Sequence, residues 1–548
     1  MGDNRFASVP NISIPRSRFK QPFNHSYSMN HGYLVPADCF DILPGDTYKL
    51  DLASVIWMSN PIRPLFGNIT CHVDVFFVPM RLVWDNTQAF FGENKTSAGY
   101  QQTSYKIPNM KLSKSLNPSV HAVSAYLGKP IYHSVSTSTQ QVAVSVLKER
   151  GYYLIWNNYY RAQQLQAPIA VATGGNGTVS GNNAIGTYAG QFGTTALTFA
   201  DEVLQVNKEF DYFTAATTSP QYGPAVTLPL GTYAPVGLID PLASGTVTAG
   251  VVNPEMEANL TSSRTFVQAE GTSSNDGNNT VLKFVTDLSS ATAATINTLR
   301  YAFAVQKYLE RSNFGSRFFE MLQVHYGVTS PDATLQIPQR IGHADFAINI
   351  STVLSTAGAA ADASTELGAP GATSCTANKS YLFTHSFCEP GFLYVMVSTT
   401  HERSYTQGIL REDMKLDRYE IYSPEFANLG DQEIKNCEIY YGADAYNNDV
   451  FGYQEHWAEY RYRPHRTSGW LNNQVANALD FWVLTDEYTQ RPALDGSWIK
   501  EDRDWVSNCL VSGSSGPDYI VDMYFDYTAT REMPLFTIPG LIDHFGVR

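Results

Sequence analysis

Apolar and polar side chains alternate with a period of two at several places, and the pattern predicts strands near both ends of the chain. Tyr48, Leu50 and Leu52 alternate with Lys49 and Asp51, as in a half-buried strand; Pro44-Gly45-Asp46 ahead of them is a turn signal. From 68 to 78, Ile69, Cys71, Val73, Val75 and Phe77 share one face, Thr70, His72 and Asp74 take the other, and Pro79 ends the run. Tyr519, Val521, Met523, Phe525 and Tyr527 repeat the pattern against Asp518, Asp522, Asp526 and Thr528. Phe392 to Val397 is continuously apolar, which predicts a strand covered on both faces. Strands at both ends, with long irregular stretches between, point to a mainly β, antiparallel sandwich whose sheets recruit distant segments.

Helical signals are fewer. Ile296, Leu299, Phe303 and Leu309 lie near helical spacing within 295–311, with Gly315 placed to stop the helix. A second helix is expected over 315–326, where Phe318, Phe319 and Leu322 recur and Gly327 sits at the C-cap position. A third, rich in Tyr and Trp, is expected within 147–165. All these aromatic stripes are expected to pack in the core.

Three stretches lack periodicity. Residues 168–200 contain no charged side chain, 231–294 contain eight, and 355–380 are rich in Ala, Ser and Gly. Such compositions build no core of their own, and insertions of this length in a compact domain usually serve function or assembly. They are expected to be exposed decoration that orders against neighbouring copies.

Composition narrows the functional classes. Charged residues are 16% of the 548-residue chain, against about 25% for an average soluble domain, a surface suited to extensive protein–protein burial. The net charge of −14 argues against coating nucleic acid with the whole molecule. The six cysteines form no Cys-x-x-Cys pair, so reduced, mostly buried thiols are expected rather than disulfides or zinc. The basic N-terminus has no apolar leader core, and 392–397 is too short to cross a bilayer; the expected protein is soluble, made in a reducing cytoplasm.

No His-Glu-x-x-His, phosphate-binding loop, calcium loop or Gly-x-Ser-x-Gly elbow occurs. Gly174-Gly175-Asn176-Gly177 lacks the preceding strand and following Lys of a phosphate loop. His401-Glu402 and Asp543-His544 are adjacent pairs, which a strand would point to opposite faces. No ligand spacing supports a divalent ion, and no cofactor or catalytic residue is assigned. Paired carboxylates for sugar hydrolysis need no motif and stay open.

Positive charge concentrates at the N-terminus. Within 1–20, Arg5, Arg16, Arg18 and Lys20 against Asp3 give +3, leaving −17 for the rest. Residues 1–22, punctuated by Pro10, Pro15 and Pro22, are read as an extended arm able to reach phosphates. A second group, Arg461, Arg463, His465 and Arg466, is interleaved with Trp457, Tyr460, Tyr462 and Trp470. Basic residues beside aromatics suit single-stranded nucleic acid, but a strand end whose arginines pair with local acids explains them at least as well. Finally, the apolar run 533–545 carries two prolines, Pro534 and Pro539, and cannot form a regular helix. Its Leu535, Phe536, Ile538, Leu541, Ile542 and Phe545 should dock on the chain's own core or on a neighbouring subunit.

That terminal run resembles the C-terminus of gokushovirus capsid proteins, from a branch of the Microviridae, small icosahedral single-stranded-DNA phages. Gly32-Tyr33-Leu34-Val35-Pro36, Leu43-Pro44-Gly45-Asp46-Thr47, 76–86, Ile155-Trp156-Asn157, Asp211-Tyr212-Phe213-Thr214, Gly223-Pro224-Ala225-Val226, 299–311, 326–332 and Phe451-Gly452-Tyr453-Gln454-Glu455 follow in the family's order. The three aperiodic stretches do not match. The resemblance implies an eight-stranded antiparallel jelly roll, 23–548, with long loop insertions and a few helices. It implies sixty copies in a T=1 shell around circular single-stranded DNA, located in the virion and made in the bacterial host cytoplasm. Further partners would be other phage structural proteins, such as a DNA-pilot and a small DNA-binding protein, and a host surface receptor. One insertion forms protrusions at the three-fold axes in this branch, and 231–294 is the candidate here. A trimeric phage fibre and a β-sandwich glycan-processing enzyme are the alternatives.

Overall fold

Burial of one face of each alternating segment dictates the architecture. The computed structural model describes residues 16–93, 105–111, 121–129, 142–179, 185–187, 202–227, 236–239, 283–286, 296–354, 370–443, 445–513 and 516–536. Eight long strands form two four-stranded sheets: β1 (Ser17–Met29), β2 (Val35–Ile42), β3 (Thr47–Met58), β4 (Ile69–Pro79), β5 (Gln339–Ala347), β6 (Thr376–Ser386), β7 (Gly391–His401) and β8 (Tyr519–Arg531). One sheet runs β1-β8-β3-β6 and the other β5-β4-β7-β2. All neighbours are antiparallel, and the pairs nest: β1 with β8, β2 with β7, β3 with β6, β4 with β5.

Between the sheets lies the main core. Tyr48, Leu50, Leu52, Val521, Met523 and Phe525 from one sheet meet Cys71, Val73, Val75, Leu393, Val395 and Val397 from the other. Several are fully buried, and each such side chain contributes about 1.5–3 kcal/mol. The alternation in β3 and β8 is borne out, but Asp74 of β4 and Asp518 just ahead of β8, expected on the polar face, are buried.

β7 is buried along its whole length because its second face is covered too. Phe392, Tyr394 and Met396 join Phe76, Val78, Tyr152, Tyr153 and Trp156 in a second core. Helix α1 (Leu147–Ile155), continued by a π-helical turn to Tyr160, supplies this outer layer. The approach is close: Tyr394 Oη donates to the Lys148 carbonyl at 2.7 Å, and a Cβ added at Gly151 would lie 2.1 Å from that hydroxyl. The connection 402–518 contributes most of a third core, including Tyr405, Ile434, Phe451 and Trp498, with Tyr212 and Phe213.

Other expectations need correction. Helix α2 (Ile296–Ser312) and helix α3 (Phe318–Tyr326) form, the latter capped by Gly327 at φ +67°. Their aromatics are not core, however: Tyr301, Phe303, Phe318 and Tyr326 are all more than 60% exposed. Helical spacing reports a shared face but not what covers it. Thr376–Ser380, read as part of an insertion, begins β6, with buried Thr376 and half-buried Asn378 and Ser380 alternating with exposed Ala377 and Lys379. Ile169 and Ile185, inside the charge-free stretch 168–200, are buried in the second core. All six cysteines are free thiols; Cys71, Cys437 and Cys509 are buried, whereas Cys375 and Cys388 are exposed.

Residues 221–311 form a separate compact unit. Within it Tyr222 N–H donates to the Leu309 carbonyl and Gln306 Nε2 to Gln221 Oε1, while Val236–Ile239 pairs with Lys283–Thr286. The rest of 231–294 lies outside the described residues.

Candidate functional site

The basic N-terminal segment becomes strand at Ser17. β1 is an edge strand, which tolerates Pro22 because one row of its donors needs no partner. Arg16, Arg18, Lys20 and Pro22 are exposed, and Arg5 lies outside the described residues. Arg16 binds Glu532 at 3.0 Å and Lys20 lies 3.6 Å from Asp526. Both pairs are solvent-exposed and contribute little to stability, so these cations can exchange partners at small cost.

The second basic group is differently placed. Arg461 pairs with Glu455, and Arg463 Nη2 meets Glu412 at 2.9 Å; Arg466 is exposed in a two-residue strand beside Ser404–Tyr405. Trp457 is 4% exposed, with its indole N–H donating to the Phe426 carbonyl, and offers no face to a base. Tyr460 has Lys415 over its ring at 3.8 Å. Tyr462 and Trp470 stay exposed. Here two of the three arginines pair with local acids.

Of the C-terminal run, Pro534, Leu535 and Phe536 are described and all are exposed, Phe536 to 77%. Ile538, Pro539, Leu541, Ile542 and Phe545, with the pair Asp543-His544, lie outside the described residues.

The fold also gathers groups that no local motif signals. An open groove of about 920 Å³ runs across the outer faces of β4 and β5. On its wall His72 Nδ1 meets Asp345 at 2.7 Å and its Nε2 meets Thr400 at 2.8 Å, while His343 bridges Asp345 at 2.6 Å and Asp74 at 2.8 Å. Burial lowers the His72 pKa, but hydrogen bonds to Glu209 and Asp345 outweigh it and raise the imidazole above its ordinary value. Deeper, His31, His401, Arg403, Asp486 and Glu501 have side chains at most 2% exposed, with Lys208 at 4%. Arg403 bridges Glu501 at 2.5 Å and Asp486 at 2.8 Å. Burial would raise the Glu501 carboxyl, yet His401 and Arg403 hold it well below the usual carboxylate range. His401 is exposed to neither solvent nor Glu402, which turns outward to Asn68, as alternation along the strand requires. The signal for this cluster is tertiary: its members come from positions 31, 208, 401, 403, 486 and 501.

These features define a β-sandwich that buries a network of ion-paired side chains and displays large apolar side chains at its surface. Sequence comparison gives the family. A profile of the Capsid protein (F protein) family matches residues 7–541, and the chain belongs to that family. It is 29% identical to capsid protein VP1 of Chlamydia phage 1, over 98% of each chain. It is 30% identical to capsid protein VP1 of Bdellovibrio phage phiMH2K, again over 98% of each. Capsid protein VP1 of Spiroplasma virus 4 is 28% identical over 98% of this chain and 97% of its own length. The chain is accordingly a structural component of a virion, of the gokushovirus type, and not an enzyme. Among the described residues no helix is long and apolar enough to cross a membrane.

Proposed function

We propose that sixty copies of this chain close into a T=1 icosahedral shell around circular single-stranded DNA, and that the sandwich is an eight-stranded jelly roll. The carrying observation is the nested pairing of first strand with last, second with seventh, third with sixth and fourth with fifth. A long hairpin rolled into two sheets gives this order. Relatedness to capsid proteins over nearly the full length supports the shell.

In this reading the terminal run, with Leu535 and Phe536 exposed on the single chain, docks on a neighbouring copy. Arg5, Arg16, Arg18 and Lys20 neutralise packaged DNA, and Arg461, Arg463 and Arg466 are the weaker candidates because Trp457 beside them is buried and Lys415 covers the Tyr460 ring, which leaves fewer faces for bases. The compact unit 221–311 supports 231–294 as the three-fold protrusion that meets a host receptor; 168–200 and 355–380 are the other insertions. A DNA-pilot and a small DNA-binding protein are expected shell partners, and synthesis takes place in the bacterial host cytoplasm.

The test is negative-stain electron microscopy of the tag-free chain, alone and then co-expressed with the phage's other structural proteins. Closed isometric particles are expected; soluble monomers or trimers under both conditions would refute the shell. Replacing Arg5, Arg16, Arg18 and Lys20 with Gln should then yield particles depleted in DNA, and normal packaging would refute the role of the arm.

A further inference from the structure

The interior cluster contains a juxtaposition that ion pairing alone does not require. His31 Nε2 lies 2.9 Å from Glu501 Oε1 and 3.1 Å from His401 Nδ1, and His401 Nδ1 lies 2.5 Å from the same Glu501 oxygen. Three potential ligand atoms thus form a small triangle, all on side chains with no solvent exposure. Among the described residues this is the one group of His, Cys, Asp and Glu close enough to share an ion. A tetrahedral ion about 2.1 Å from each donor sets its donors about 3.4 Å apart, so loading the site spreads this triangle by a few tenths of an ångström to about an ångström.

We propose that His31, His401 and Glu501 form a structural site for zinc or a similar divalent transition-metal ion. The donors are two imidazoles and one carboxylate, a set that suits Zn²⁺ better than Ca²⁺ or Mg²⁺. Arg403 and Lys208 lie in the same cluster, so an ion held by charge alone would be disfavoured; coordination through imidazole nitrogen offsets that repulsion. Part of the support of a metal site is also in place, for His31 and Glu501, while the buried His401 Nε2 has no hydrogen-bond partner. Tyr519 Oη lies 3.1 Å from His31 Nδ1, which fixes the ring and leaves Nε2 for the ion. Arg403 holds the second oxygen of Glu501, orienting the first. Gly32 makes the approach possible: at φ +75° a Cβ there would come within 2.8 Å of Glu501 Cγ.

The three ligands sit on the turn between β1 and β2, at the last residue of β7, and in the connection before β8. An ion would therefore join three segments that are far apart in sequence. Because the site is closed to solvent, it would be filled as the chain folds.

The experiment is elemental analysis of tag-free chain, expressed with added zinc and gel-filtered in chelator-treated buffer. One ion per chain is expected, falling to background in His401→Ala while metal-loaded wild type keeps its ion. Prolonged incubation with chelator should lower the wild-type melting temperature by several degrees, and zinc should restore it. Background metal in the wild type would overturn the proposal, leaving a metal-free network of two histidines sharing one carboxylate. Undiminished metal in folded His401→Ala would overturn it as well. If His401→Ala does not fold, cobalt substitution of the wild type decides: intense visible d–d bands are expected, and their absence overturns the site.

Discussion

Replacing Asp38 with Asn should stabilise the folded subunit at neutral pH and flatten its pH dependence. Asp38 lies on β2, where its carboxylate accepts a hydrogen bond from Tyr527 Oη at 2.8 Å. Burial raises its pKa from 3.8 to about 6, against the opposing hydrogen bonds from Tyr527 and the Cys39 amide. Below about pH 3.8 the group is protonated in folded and unfolded chains alike and contributes nothing. Between about 3.8 and about 6 the unfolded chain releases a proton that the folded chain retains, so stability falls as pH rises. Above about 6 the whole penalty is present. Two pK units correspond to about 3 kcal/mol, and partial exposure of the carboxylate to solvent reduces this to roughly 1–2 kcal/mol. Asparagine keeps an acceptor for Tyr527 and carries no charge. Guanidinium denaturation of unassembled Asp38→Asn and wild type at pH 4 and pH 7.5 gives the comparison. A gain of about 1–2 kcal/mol at pH 7.5 that vanishes at pH 4 is expected. Equal or lower stability of the variant at pH 7.5 would refute the reasoning.

Three further outcomes are expected. Gly151→Ala should lose about 3 kcal/mol, because the new methyl meets the Tyr394 ring and hydroxyl in a packed layer; a denaturation midpoint unchanged from wild type would show that α1 can shift. Leu535→Ser with Phe536→Ser should leave the melting temperature of the unassembled chain within a degree or two, since both side chains are exposed, but abolish particles in electron micrographs. His72→Gln should weaken the fold by about 0.5–1 kcal/mol, with the difference present at pH 5 and lost by pH 9: the raised His72 pKa gives stability below its unfolded value that disappears as pH rises through the folded one. A difference that grows with pH would reverse that assignment.

How much of this was legible in the sequence depended on what lies on the second face of each strand. β3 and β8 bury one face only, so Tyr48, Leu50 and Leu52, or Val521, Met523 and Phe525, stand out against polar neighbours, whereas β4 does so only as far as His72, before Phe76 and Val78 reach the second core. β7 reads as unbroken apolar sequence because α1 covers the face that Phe392, Tyr394 and Met396 present. β1, β2, β5 and β6 escaped notice. All four lie at sheet edges, where few apolar side chains are needed, and the outer faces of β1, β5 and β6 carry Arg18 and Lys20, Arg340 and His343, or Lys379 and Tyr381. The aromatic stripes of α2 and α3 misled for the converse reason, since exposed Phe303 and Phe318 carry the same periodicity as buried ones. The interior cluster was invisible because His31, His401 and Glu501 meet only after the two sheets have closed.

The pairing of β8 between β1 and β3 has a consequence for synthesis. Among the described strands the one latest in sequence is a central one, so the middle of this sheet is missing until Tyr519–Arg531 has been made. Such long-range pairing folds slowly and exposes unpaired edges meanwhile. A prematurely terminated product can never complete that sheet, whatever its remaining length. A chain that stops before Tyr519 lacks the strand that joins β1 to β3.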